Sequence, residues 1–299
     1  MIRLGLCCIF RSEPITFRRV TVKHLSGKPR KGQLRLLADI CRHNALSLEQ
    51  ALHFCKDHGI GAFRINSQIL PLKTHPDVGY AMEDLPGGDE IVKIFRRCGA
   101  WSRRNDIRTT FHPDQFIVLN SPDPEVVARS VADLVYHAEV AGWVHADVIN
   151  LHAGGVYGDK PSALTRLSEV IARLPAAVRR RLTLENDDRS FTPKDLLPVC
   201  RASGIPLVYD VHHHRCLPDG LSVAQATSAA LGTWQREPLF HVSSPLNGWQ
   251  AGNRRPHHDY IDLSDFPPEW RTLNLTVEVE AKAKELAVLR LARELPDHR

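Results

Sequence analysis

The sequence is short of the features that would place it in a membrane or an oxidising compartment. No apolar run approaches the length that spans a bilayer, and Met1 to Phe10 carries neither a basic leader nor a small-residue cleavage site. No membrane segment or signal peptide is expected, and the chain reads as cytoplasmic with its first strand at the start. The seven cysteines (Cys7, Cys8, Cys41, Cys55, Cys98, Cys200, Cys216) are scattered and form no CxxC pair. That pattern argues against a disulfide framework and a thiolate zinc site, and predicts reduced, mostly buried thiols. Neither Gly87-Gly88 nor Gly154-Gly155 belongs to a P-loop or dinucleotide fingerprint, so no nucleotide cofactor is expected. Low-complexity tracts, linkers and internal repeats are also missing. The net charge is only +5, an excess that would attract phosphate but does not by itself indicate nucleic acid.

What remains is an ordinary globular mixture, 43% hydrophobic and 24% charged over 299 residues, enough for one large domain spanning 1–299. Hydrophobic runs predict eight strands, over residues 2–6, 62–66, 107–112, 147–152, 182–185, 206–210, 239–242 and 273–280. Helical periodicity falls between them, over 33–57, 89–103, 124–141, 161–174, 193–203 and 222–235, with 281–294 last. Capping residues and first-turn prolines mark two of the helix starts, at 121–125 and 192–195. Strict alternation of strand and helix implies parallel strands and a single (β/α)8 TIM barrel. Residues 243–270 hold glycines and prolines with little helical pattern, and read as an extended functional loop.

Metal-ligand residue types recur at the C-terminal ends of the strands, where barrel enzymes assemble their active sites. His112 ends IRTTFH, His152 ends DVINLH, Glu185 ends RLTLE, Asp210 ends PLVYD, His241 ends PLFH and Glu280 ends LTVEVE. His75 follows strand two, His213 follows Asp210, and His257 with Asp259 lies in the long loop. One such residue is more often a capping or hydrogen-bonded group. Six together predict a site for one or more divalent cations, because several uncompensated polar groups at one barrel mouth would be costly. Imidazole and carboxylate without sulfur suit Mn²⁺ or Zn²⁺. Within His212-His213-His214 one or two ligands suffice, while Asp187 and Asp188 read as solvated or as caps of the next helix. His24, His43, His53, His58, His137 and His145 fall on helices or peripheral loops and are read as structural.

Other signals are weaker. The loop after strand one crowds Arg11, Arg18, Arg19, Lys23, Lys28, Arg30 and Lys31 around Phe10 and Phe17; it reads equally as a nucleic-acid track with stacking aromatics or as a solvated loop. Arg254 and Arg255, beside His257, are placed to contact phosphate. Arg179-Arg180-Arg181 belongs at the opposite face and reads as solvated surface. Phe116, taken alone, reads as a core aromatic.

In order and spacing, the segments IRLGL, FRINSQILPLKTHP, TTFHPDQFIVLNSP, NLHAGG, LTLENDD, YDVHHH, HVSSP, HHDYI and VEVEAKAKELAVLRL resemble the UV damage endonuclease family, relatives of endonuclease IV among the metal-binding barrels. The resemblance covers nearly the whole chain. It implies a cluster of up to three divalent ions, usually Mn²⁺, with Zn²⁺ or Mg²⁺ as alternatives. Such a cluster cuts damaged double-stranded DNA on the 5′ side of UV photoproducts and sometimes other lesions, without a covalent protein intermediate. Carried over by position, the implied ligands are His75, His112, His152, Glu185, Asp210, His213, His241, His257 and Glu280, with Glu185 and Asp210 each bridging two ions. Glu185, Asp210 and Glu280 are the implied catalytic carboxylates, and Gln115 with Phe116 matches the pair inserted into the duplex opposite the lesion. The resemblance also implies a bacterial, nucleoid-associated enzyme, and a DNA-reading mouth suggests a monomer.

Two departures stand out. Relatives commonly have, two residues before the strand-seven histidine, a lysine that can be carboxylated near the metals; here it is Leu239. Where relatives often have a tyrosine near the end of strand one, this chain reads Leu6-Cys7-Cys8, and some have tyrosine at Phe116. The metal site is expected to be intact and lesion recognition altered. Two other classes stay open: a sugar isomerase or epimerase on the same barrel, opposed by the basic loop and the Gln115-Phe116 pair, and a catalytically silent DNA-damage binding protein, which Leu239 keeps open.

Overall fold

In the computed structural model, which describes residues 1–295, eight parallel strands close in sequence order into one barrel. They are β1 (Ile2–Cys7), β2 (Ala62–Ile65), β3 (Arg108–Phe111), β4 (Val148–His152), β5 (Leu182–Glu185), β6 (Leu207–Asp210), β7 (Leu239–Val242) and β8 (Leu275–Val279). β1 pairs with both β2 and β8, so no edge is left. Helices such as Arg30–Asp57, Gly88–Arg104, Pro124–Val144 and Lys160–Arg173 cover the outside. Their apolar faces and the outward strand residues, among them Phe63, Phe111, Leu151, Leu184 and Val277, form one continuous buried layer. No helix of the described residues is long and apolar enough to cross a membrane.

The caps are those the sequence announces. Thr192 accepts from the Asp195 N–H, the Asp195 carboxylate answers the Thr192 N–H, and Gly204 (φ 70°) ends the helix Pro193–Ser203 in a left-handed turn. Asp123 caps the helix Pro124–Val144. Two expected spans shorten. The helix expected over 222–235 runs Val223–Leu231, because the chain turns after Gly232 and the Thr233 hydroxyl donates to Ala230 O. The final helix starts at Glu285, after a turn at 281–284. The sequence reading missed the short helix Val211–Cys216, which carries the His212-His213-His214 run. Five cysteines are buried and Cys8 and Cys216 half-buried; burial pushes the Cys41 thiol up to about 11 and Cys98 and Cys200 to about 12.

Most TIM barrels fill their interior with branched apolar side chains. Here only the N-terminal end does so, where Val148, Val208, Leu239 and Trp234 form a small cluster of their own. Leu239, fully buried in that cluster, occupies its position with apolar packing. Above it the interior is polar, and hydrogen bonds cross it between strands that are not neighbours: Thr110 on β3 reaches Glu278 on β8, and Arg64 on β2 reaches His241 on β7.

Candidate metal centre and barrel mouth

Because side chains alternate along a strand, each strand-end residue has its inward neighbour two positions earlier. Thr110 lies below His112, Asn150 below His152, Thr183 below Glu185, and Glu278 below Glu280. This period-two rule was available in the sequence and would have named Asn150, Thr183 and Glu278; Arg64 is their counterpart on β2. All four are buried. Thr183 donates to Asn150, which donates to Glu185 Oε2, so Glu185 is held from beneath.

The upper layer is a ring of mutually facing ligand atoms. His112 Nε2 lies 2.9 Å from Glu185 Oε2, His241 Nδ1 3.2 Å and His213 Nδ1 3.3 Å from Glu185 Oε1. His241 Nδ1 is also 3.4 Å from Glu280 Oε1. Three sets could each hold a cation: His112, His152 and Glu185; Glu185, Asp210 and His213; Asp210, His241 and Glu280. Glu185 and Asp210 each belong to two, as bridging carboxylates would. Asp210 also caps the helix Val211–Cys216, its Oδ1 accepting the His213 N–H at 2.7 Å, which delivers His213 to the ring.

Neighbouring charge dominates here. Burial alone would raise the Glu185 carboxyl, but the surrounding imidazoles of His241, His152, His112 and His213 hold it well below the usual carboxylate range. Burial would likewise raise Glu280, which Arg64 and His241 pull well below that range. His241 is raised to about 10 against its burial, chiefly by Glu185, and His213 is raised by Asp210 and Glu185. For His152 burial outweighs the opposing pull of Glu185, and with the neighbouring imidazoles of His112 and His213 it lowers the group.

Four buried polar atoms of this ring have no hydrogen-bond partner: His152 Nδ1, Glu185 Oε1, Asp210 Oδ2 and His241 Nδ1. Buried polar groups in folded proteins are almost always satisfied. Four unsatisfied ligand atoms in one ring, all of types that divalent cations accept, fit a metal centre.

The remaining candidates lie around this ring. His257 Nδ1 is 3.8 Å from Glu280 Oε2, at the edge of the cluster. His75 belongs to none of the three sets; its Nδ1 accepts the Asp77 N–H at 3.1 Å. Of the histidine run only His213 joins, since His212 Nε2 bonds Arg255 O and His214 lies between Tyr209 and Asp219. Asp187 is neither solvated nor a helix cap: its carboxylate accepts the N–H groups of Arg189, Ser190 and Phe191 and so shapes its own loop. Asp188 pairs with Arg255 at 3.2 Å.

One aromatic expectation reverses and one open reading is settled. Phe116 is 67% exposed, with Gln115 exposed beside it, so it is no core residue. Phe10 and Phe17, open in the sequence between base stacking and a solvated loop, pack inward: Phe10 meets Phe54 and Phe63 at centroid distances of 5.2 and 6.0 Å, and Phe17 meets Phe63 at 6.3 Å. Their loop is tied down by Glu285, which accepts from the Arg11 and Ser12 N–H groups, and by Asn44, which grips both backbone polar groups of Arg18. With Phe10 and Phe17 turned inward, Arg11, Arg18 and Arg19 remain exposed. Gln115 stands between two cavities that both reach His152. One, of about 900 Å³, is lined by Tyr157, Arg189, His213 and Arg255; the other, of about 530 Å³, by Arg19, Arg64, Asn66, His112 and Phe116. Arg254 is exposed on the loop beside the larger cavity. At the opposite face Arg181 is half-buried and donates to Ala146 O and Ala177 O, so it is tied to the backbone rather than simply solvated.

A fold-level likeness is broad. Endonuclease IV from Thermus thermophilus superposes with a TM-score of 0.62 at 16% identity, over 98% of this chain and 97% of that one, which establishes the barrel alone. The crystal structure of SacUVDE matches far more closely, with a TM-score of 0.87 and 28% identity over 99% of this chain and 100% of that one. In sequence, the UV DNA damage endonuclease of Bacillus velezensis is 36% identical, covering 96% of this chain and 91% of the relative. Residues 2–299 match the family described as UV-endonuclease UvdE, and to that family the chain belongs.

Proposed function

We propose that the chain is a metal-dependent endonuclease that hydrolyses the phosphodiester bond on the 5′ side of UV photoproducts in duplex DNA. The observation that carries the metal dependence is the ring of four unpartnered buried ligand atoms on His152, Glu185, Asp210 and His241. His112, His213 and Glu280 complete the ligand set, with His257 at its edge and His75 available through its other nitrogen. Bound there, divalent cations, Mn²⁺ foremost, would supply Lewis acidity to the scissile phosphate and to the attacking water.

The chain's own groups do the rest. Glu185, held ionised by the imidazoles around it, and Asp210 present the carboxylate oxygens that gather the cations. Arg189, Arg254 and Arg255 on one side of the mouth and Arg19 on the other hold the DNA backbone. The exposed Phe116 is an apolar wedge with the Gln115 amide beside it; the pair would enter the duplex where a lesion has weakened stacking, and Gln115 would meet the polar edges left behind. A ring flanked by open, arginine-lined cavities suits a polyanion better than the enclosed pocket a small sugar requires.

The test is a nicking assay on end-labelled duplexes carrying one pyrimidine dimer, one abasic site or no lesion, with Mn²⁺, Mg²⁺ or Zn²⁺. A cation-dependent cut immediately 5′ to the dimer, lost in Glu185→Gln, is the expected result. Cutting only at the abasic site would contradict the UV specificity, and no cutting with any ion would contradict the enzyme.

A further inference from the structure

Below the ligand ring, Glu278 is a fully buried carboxylate in the middle of the barrel. It accepts from the Thr110 hydroxyl and from Arg64 Nε at 2.6 Å, and Oε2 faces His241 Nε2 at 3.1 Å. Arg64 reaches upward as well, its Nη1 2.6 Å from Glu280 Oε1. Thr110 and Arg64 both donate to Glu278, so its oxygens serve as acceptors. It belongs to none of the three candidate ligand sets.

The chemistry of His241 then separates its two nitrogens. Nδ1, buried and unpartnered, faces Glu185 and Glu280. Nε2 accepts from Arg64 Nη2 at 2.9 Å and lies 3.1 Å from Glu278 Oε2. For Nδ1 to offer its lone pair to a cation, the ring hydrogen must sit on Nε2, and a buried N–H needs an acceptor. Arg64 has only donors, so once a cation takes Nδ1 the bond from Arg64 into Nε2 must give way, and among the described residues the carboxylate within reach of the Nε2 hydrogen is that of Glu278, at 3.1 Å.

We infer that Glu278 is a positioning residue: it receives the Nε2 hydrogen when His241 takes the tautomer that presents Nδ1 to a metal ion, while Arg64 locks Glu278 and Glu280 into one rigid unit. A carboxylate behind a metal-binding imidazole sets ring orientation and makes the imidazole a stronger ligand. Arg64 and Glu278 cancel in charge, so the pair orients His241 without altering the net charge of the ring. This inference rests on the metal-centre reading above, and its test separates the two.

Metal-stripped wild-type protein, Glu278→Gln and Glu278→Met are titrated with Mn²⁺ by calorimetry, and their folding is followed by thermal melting. Gln keeps an oxygen acceptor for His241, so it is expected to bind within about threefold of wild type, whereas Met is expected to bind about 10- to 100-fold more weakly at one site. Should Glu278→Met leave Arg64 too poorly compensated to fold, Arg64→Met/Glu278→Met removes both charges and carries the same expectation. A pair that merely supports the fold would shift melting without this difference between Gln and Met. Unchanged affinity in a folded Met variant overturns the role of Glu278 alone. Wild-type protein that takes up no divalent cation overturns the metal centre, and the inference with it.

Discussion

The two ends of the barrel interior use the same kinds of residue to opposite effect. At the N-terminal end, Arg108 makes a two-pronged pair with Asp147 at 2.8 and 3.0 Å, Arg3 reaches Glu237 at 2.9 Å, and Thr276 ties Arg108 to Glu237. Both of these carboxylates have a cationic partner. At the C-terminal end Glu185 and Asp210 are more deeply buried, yet Oε1 of one and Oδ2 of the other make no hydrogen bond and face only histidine nitrogens that are themselves metal-ligand candidates. Charge at strand ends is therefore not the signature of the site; charge left unsatisfied is. A closed ion-pair network confers a unique packing, whereas an open ring of ligand atoms keeps affinity for something outside the chain.

The largest expected effect breaks the open end. Glu185→Gln removes the carboxylate shared by two ligand sets and should reduce lesion cutting by about a thousandfold or more, with far-ultraviolet circular dichroism unchanged. The reciprocal change at the closed end is Arg108→Leu. It removes one of the two arginines paired with Asp147, leaving Arg236 at 3.3 Å, and should lower unfolding free energy by about 1 kcal/mol, while leaving cation affinity untouched in the same preparation.

Acidity should also separate the ends. In the cation-free protein His241, raised to about 10, and His213, also raised, hold protons at neutral pH, and a cation must displace them. Affinity should therefore rise with pH by about tenfold per unit for each proton released, and calorimetry in buffers of different ionisation heat counts those protons. Without cations the sign is opposite: the stabilisation these histidines give is fully present below their ordinary value near 6.5 and is lost as pH climbs through their raised values. The smallest effect belongs to the rim. Phe116→Ala should cost several-fold in discrimination between damaged and intact duplex, read as a ratio of nicking rates, with no change in melting because the side chain is already exposed.

The barrel was legible in the sequence because strand and helix periodicities alternate without interruption, and β5, β7 and the helix Pro193–Ser203 fall where expected to the residue. The ligand ring was legible because strand ends are where a barrel exposes polar groups. What the sequence did not yield depends on contacts between distant segments. Nothing local shows that Glu285 draws in the loop that carries Phe10, or that Phe63 lies under both of its phenylalanines, so the loop read equally as a stacking track or as solvated surface. Phe116, taken alone, read as core because phenylalanine usually is; the family resemblance instead set it beside Gln115 at the lesion, and its loop holds it outward. Glu278 was overlooked because, two residues before Glu280, it looks like a second acid of the same kind; the partners on β2, β3 and β7 are what separate its role.

The most direct test of a metal centre at the open end is a calorimetric titration of metal-stripped protein with Mn²⁺, run beside Glu185→Gln and Arg108→Leu. Uptake of two or three ions by wild type and by Arg108→Leu, sharply reduced in Glu185→Gln, is the expected result. Equal uptake by all three proteins, or none by wild type, would contradict it.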